Sequence, residues 1–141
     1  MSADFLDSNV LVYLFDDKNQ RKRDRASVVV EKALADGSGV ISFQVVQETL
    51  NIILTKLATQ AAPTDASRFL DTVLALLWQV MPSPGLYRDA VELQSRYGYS
   101  FYDSLIIAAA REAGCRRLLT EDMQHGQRIG DLVIENPFSG T

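Results

Sequence analysis

The stretch YSFYDSLIIAAARE, residues 99–112, decides how the chain is read. Leu105, Ile106, Ile107, Ala108, Ala109 and Ala110 leave no wet stripe, so the segment is a helix buried in the body of a domain. Asp103 nevertheless sits in its first turn, where an acid is either satisfied or used. Ser100 and Asp103 are spaced as a capping box, which satisfies free backbone N–H groups. The same position also holds a carboxylate at a helix start, whose positive end favours the ionised form.

Moving outward, Gly98 closes a preceding helix over residues 86–97, and Gly114 stops the central one. A strand over residues 117–120 follows through Leu118 and Leu119 and runs into Thr120-Glu121-Asp122. A last strand covers residues 132–134, and Asn136-Pro137-Phe138 turns the chain away. At the other end, residues 4–7 form a first strand that stops at Asp7. Ser8 and Asn9, both good N-caps, then lead into a helix with Val10, Leu11, Leu14 and Phe15 inward. Helical spacing resumes over residues 25–35 and breaks at Asp36-Gly37-Ser38-Gly39. Val40 and Ile41 make a second strand. Ser42 caps a helix over residues 43–58 whose core stripe is Phe43, Val46, Leu50, Ile53, Leu54 and Leu57. Glu48 falls on the opposite side with Gln44, Asn51 and Thr55, and periodicity alone turns it to solvent. Thr64 caps a further helix burying Phe69, Leu70, Val73, Leu74 and Leu77, and residues 79–81 make a third strand before Pro82 and Pro84. Strands alternating with helices predict an α/β domain: one unit over residues 1–141, a three-layer α/β/α sandwich around a mainly parallel five-stranded sheet.

At 141 residues the chain can bury a core without staples. Cys115 is its only cysteine, which excludes an internal disulfide and a thiolate metal cage. No apolar run is long enough to span a membrane, there is no signal-like start, and the expected location is the cytoplasm. A net charge of −4 argues against broad non-specific nucleic-acid binding, although a local basic run, Lys18, Arg21, Lys22, Arg23 and Arg25, is a candidate for backbone contacts. The alternative is that this run is a solvated helix face.

In an open parallel sheet, functional groups gather beyond the carboxyl ends of the strands. Asp7 follows the first strand, Asp122 the fourth, Asp103 opens the helix leading to the fourth, and Glu48 lies early in the helix after the second. Carboxylates brought to about 4 Å repel by roughly 4 kcal/mol at an effective dielectric near 20. A divalent cation removes that penalty, and oxygen ligands suit Mg²⁺ or Mn²⁺ rather than zinc. His125 and Cys115 are the only softer donors. Carboxylate-held Mg²⁺ beside a phosphate ester implies phosphoryl transfer, most simply hydrolysis.

FLDSNVL over residues 5–11, the Glu48 helix, YDSLIIAA over residues 102–109 and LTEDMQHG over residues 119–126 resemble the PIN-domain nucleases, and more narrowly the VapC-type toxins of toxin–antitoxin pairs. The resemblance covers residues 3 to about 138 and implies an Mg²⁺-dependent endoribonuclease. It also implies a small VapB-type antitoxin that blocks the acidic cleft, and a homodimer. Asp7, Glu48, Asp103 and Asp122 match the family's acidic metal site. Thr120 matches its Ser/Thr-x-Asp element, and Asn9 a polar residue after the first acid. Many members carry a further acid just past Asp122; Met123 and Gln124 stand there instead, which bears on whether a second ion is held. The family has no invariant catalytic histidine, which leaves His125 a surface or capping role.

Two rivals remain to be weighed. A receiver domain needs a late lysine, and there is none after Lys56. A catalytically silent PIN-fold module that only binds RNA or an antitoxin keeps the same architecture without turnover.

Overall fold

In the computed structural model the residues described are 3–56 and 63–139. The chain runs β1 (Asp4–Leu6), α1 (Ser8–Val12) with a 3₁₀ turn (Tyr13–Phe15), α2 (Gln20–Asp36), β2 (Gly39–Ser42) and α3 (Phe43–Thr55). After α4 (Pro63–Phe69) a π-helical stretch (Leu70–Leu74) leads into α5 (Ala75–Leu77) and β3 (Trp78–Val80). Then come α6 (Pro84–Tyr97), α7 (Phe101–Glu112), β4 (Arg117–Leu119), β5 (Arg128–Ile129) and β6 (Leu132–Glu135).

The sheet order is β3-β2-β1-β4-β6-β5. Every pairing is parallel except β5 with β6. The sheet therefore has six strands rather than five, and the class is the expected α/β. The sixth strand hides in the sequence because two residues carry no periodicity. Its signal is the Gly130-Asp131 pair between Ile129 and Leu132, with Gly130 at φ 61°, the left-handed backbone a two-residue hairpin loop requires.

All four residues of β2 are buried, as expected of a parallel strand covered on both faces, and both α2 and α7 pack against it. The approach of α2 is so close that a Cβ on Gly39 would stand 2.5 Å from that of Ala33. The central helix is as its sequence reads: residues 104 to 110 are all buried. Ser100 caps it, its Oγ accepting from the Asp103 N–H at 3.1 Å.

Three local expectations shift. α2 begins at Gln20, not near residue 25, because Asn19 caps it by accepting from the Lys22 N–H at 3.1 Å. A charged first turn has no apolar rhythm to reveal it. Thr64 lies inside α4 rather than capping it, since Pro63 is already helical. Leu54 is exposed instead of joining the α3 stripe. Leu57 and the residue-58 end of that helix lie outside the described residues.

Candidate active site

β1 and β4 lie side by side in register, Leu6 opposite Leu119, so the residues that follow them emerge together. Asp7 caps α1, and its Oδ1 accepts from the Ser8 N–H at 2.7 Å. Its Oδ2 accepts from Thr120 Oγ1 at 2.8 Å. That hydroxyl in turn accepts from Asn9 Nδ2 at 3.1 Å and from the Asp122 N–H at 3.1 Å. Asn9 Nδ2 also donates to Asp122 Oδ2 at 3.0 Å. Asn9 and Thr120 thus join the two acids that leave the neighbouring strands.

Glu48 comes from the other side. Its Oε1 accepts from Ser8 Oγ at 3.2 Å, and its Oε2 from Gln44 Nε2 at 3.3 Å. Gln44 Nε2 also donates to the Tyr102 carbonyl at 3.1 Å, so one amide fastens Glu48 to the residue before Asp103. The solvent-facing reading of Glu48 is therefore corrected. The first turns of α3 lie under α1, Gln44 is only 4% exposed and Glu48 is half-buried, while Asn51 and Thr55 farther along are open. A helical wheel registers the face of a helix, not which end of that face a distant segment covers.

Electrostatics ties the four acids into one group. Burial pushes the Asp7 carboxyl up to about 7, against hydrogen bonds from Thr120 and Ser8 that pull it down; Glu48 and Asp122 add to the rise. Burial also raises Glu48, and Asp103 and Asp122 push it further. Asp103 is raised by burial and then by Asp122. Asp7, Glu48 and Asp103 each feel at least one other acid of the group.

The donors fit a hard divalent ion in kind: carboxylates, a hydroxyl and amide oxygens. The softer donors are engaged elsewhere. His125 Nδ1 accepts from the Asn136 N–H at 3.0 Å, and Cys115 is buried with its thiol pushed up to about 12 by burial. The Oε1 of Gln44 and the hydroxyl of Ser104, neighbours of Glu48 and Asp103, are buried without a protein partner. Among the described residues, no three His, Cys, Asp or Glu side chains stand close enough to hold an ion. Uncompensated carboxylates repel, and here they rest on hydroxyl and amide donors instead, so seating an ion requires side-chain movement.

The basic run lies beside this site but is largely engaged. Lys22 Nζ meets Glu121 Oε2 at 2.7 Å and the Tyr13 hydroxyl at 3.1 Å, and sits 5.0 Å from the centre of the Tyr13 ring. Tyr13 donates to the other Glu121 oxygen at 2.5 Å. Arg23 pairs with Asp17 at 2.9 Å, Arg25 Nε donates to the Pro137 carbonyl, and Arg21 reaches the Phe138 carbonyl. Lys18 is exposed. Sequence reasoning did not anticipate Ser8 and Gln44 as supports for Glu48, nor Glu121 as the partner of Lys22. The adjacency of Ser8 to Asp7 and the four-residue spacing of Gln44 and Glu48 were the available signals.

The sequence profile of the PIN domain matches residues 5–128. Among solved structures, VapC20 of Mycobacterium tuberculosis, a sarcin–ricin-loop-cleaving toxin, superposes with a TM-score of 0.61 at 20% identity, over 85% of this chain and 92% of that one. VapBC2 of Rickettsia felis, bound to a DNA fragment from its promoter, gives 0.65 at 19%, over 95% and 98%. FitAcB of Neisseria gonorrhoeae gives 0.64 at 17%, over 96% and 99%. At these identities the likeness is one of fold. No curated protein sequence matches the chain.

Proposed function

The chain belongs to the PIN-domain family, and from that premise we propose that it is a divalent-metal-dependent endoribonuclease, the toxin of a toxin–antitoxin pair. The observation that carries the reading is the electrostatic coupling of Asp7, Glu48, Asp103 and Asp122 at the carboxyl edge of the sheet. Such a group is costly unless a cation is part of its working state.

Asp7, Asp103 and Asp122 would hold Mg²⁺ or Mn²⁺, with Glu48 completing a second position or directing the attacking water. When bound, the ion supplies charge neutralisation at the phosphate and an activated water. The chain's own groups do the rest. Thr120 and Asn9 fix the directions of Asp7 and Asp122. Ser8 and Gln44 hold both oxygens of Glu48, and burial raises its proton affinity, in keeping with a role in orienting and deprotonating the attacking water. In-line attack by that water on an RNA phosphodiester leaves a 5′-phosphate and a 3′-hydroxyl.

The partners proposed are RNA as substrate, a small VapB-type antitoxin and a second copy of the chain, in the cytoplasm. The VapBC complexes among the similar folds support the antitoxin. No helix among the described residues is long and apolar enough to cross a membrane.

The test compares RNA decay with Mg²⁺ and with EDTA for the wild type and Asp103→Asn. Decay that needs Mg²⁺ and falls by at least about a hundredfold in the folded variant is expected. A silent binding module shows no dependence on the ion, and that result would overturn the assignment. Mapping new RNA 5′ ends in cells expressing each form then identifies the target.

A further inference from the structure

Beside the carboxylates a row of four rings runs from the core to solvent. Phe43, at the start of α3, is buried and meets Tyr87 of α6 edge-on at 6.4 Å. Tyr87 stacks on Phe101 at 6.5 Å with the planes 18° apart. Phe101 meets Tyr102 edge-on at 5.6 Å. Exposure rises along the row, from 38% at Tyr87 and Phe101 to 66% at Tyr102. A soluble domain seldom leaves rings uncovered side by side without using them.

The row is registered to the acids by bonds. Tyr102 precedes Asp103, and its carbonyl is held by the Gln44 amide that also holds Glu48. Phe43, the inner anchor, precedes Gln44. Tyr102 is the exposed residue directly beside Asp103, so a polymer seated at Asp103 has its ring within reach. Beyond the one phosphate that an ion at the carboxylates would neutralise, acidic surroundings disfavour further backbone charge, whereas the uncharged face of a base meets no such penalty and gains from aromatic stacking.

We propose that Tyr102, backed by Phe101 and Tyr87, is a stacking platform for an unpaired nucleobase adjoining the phosphodiester that the carboxylates address. The proposal rests on the ribonuclease reading and extends it by naming the side chain on which a base would rest.

The test measures binding of a short unstructured oligoribonucleotide, by fluorescence anisotropy, to the Asp103→Asn protein with and without Tyr102→Ala. The same RNA carrying abasic sugars serves as the second probe. Removing the ring weakens binding to the intact RNA by about tenfold, leaves the abasic RNA unchanged, and Tyr102→Phe restores affinity. Tyr102→Leu, which keeps apolar area without a π face, does not. Equal affinity with and without the ring for intact RNA overturns the platform, and Mg²⁺-dependent cleavage by the wild type then leaves the ribonuclease reading standing. Absence of both cleavage and RNA binding in the wild type removes both. Sedimentation of each variant completes the test: a change of oligomeric state on losing the ring assigns the row to a second copy and overturns the proposal.

Discussion

Strand β1 has an aspartate at its start and another just past its end, three residues apart, in opposite electrostatic settings. Asp4 lies against Arg117, the first residue of β4, whose Nε and Nη2 donate to its two oxygens at 2.9 and 2.5 Å. The same guanidinium reaches Glu135 of β6 at 2.9 Å, and its hydrogen bonds to Asp4 hold it more firmly protonated. Asp7, 5% exposed, has a hydroxyl, an N–H and two further acids around it. Among the described residues no ion pair joins Asp7, Glu48, Asp103 or Asp122 to a lysine or arginine. Lys22, which reaches the neighbour of Asp122, is occupied by Glu121. One end of the strand pair is charge-matched within the fold; the other leaves its charge to something outside it. The difference gives Asp4 a structural part and accords with the working part proposed for Asp7, though each is an aspartate flanking one short strand.

Three interventions sharpen or break this contrast. The largest effect belongs to Asp7→Asn, which keeps the shape and removes the charge. RNA cleavage falls by roughly a thousandfold, while chemical denaturation at pH 8 in EDTA finds the variant at least as stable as the wild type. A variant that still cleaves would make the two ends of the strand equivalent.

Next is the pH dependence of folding without metal. Asp7 binds its proton more tightly folded than unfolded, with a pKa of about 7 against an ordinary 3.8. The folded chain therefore carries more bound protons between those values, and stability falls as pH rises through that window. A tenfold difference in proton affinity between the two states is worth about 1.4 kcal/mol. Glu48 and Asp103 move in the same direction and add to the slope. Urea midpoints from pH 4 to 8 in EDTA measure it. Asp7→Asn flattens the slope, and Mg²⁺ raises stability most at the alkaline end. A slope unaltered by the substitution would mean that Asp7 is not the buried acid described.

The smallest effect is at the matched end. Arg117→Met leaves Asp4 and Glu135 facing each other unpaired. Arg117 is itself partly exposed, so solvent screens the loss to about 1–2 kcal/mol. Thermal melting registers a drop of about 5 °C, with kcat/KM for RNA unchanged.

What the sequence disclosed follows the same physical lines. The all-apolar run of α7, its Ser100 cap and the short strand before Asp7 are local facts, and local reasoning recovers them. Asp7, Asp103 and Asp122 are legible because each stands where a strand or helix begins or ends. Glu48 is legible as a candidate from its position after β2 and from the family likeness, but its half-burial is not, because that depends on α1 covering one end of α3. The Lys22–Glu121 pair spans ninety-nine positions and has no local trace. The basic run looks from sequence like a free patch, yet carbonyls and acids from elsewhere in the chain engage most of it.

Thr120 carries a last consequence. Its oxygen bears one hydrogen, and that hydrogen is spent on Asp7, so toward Asn9 and the Asp122 amide it can only receive. A single proton thereby sets the polarity of the whole chain of contacts from one strand end to the next. The amide of Asn9 must present its nitrogen to Thr120, which leaves its oxygen to receive from the Glu121 N–H. The arrangement has a built-in sense of direction before any guest arrives.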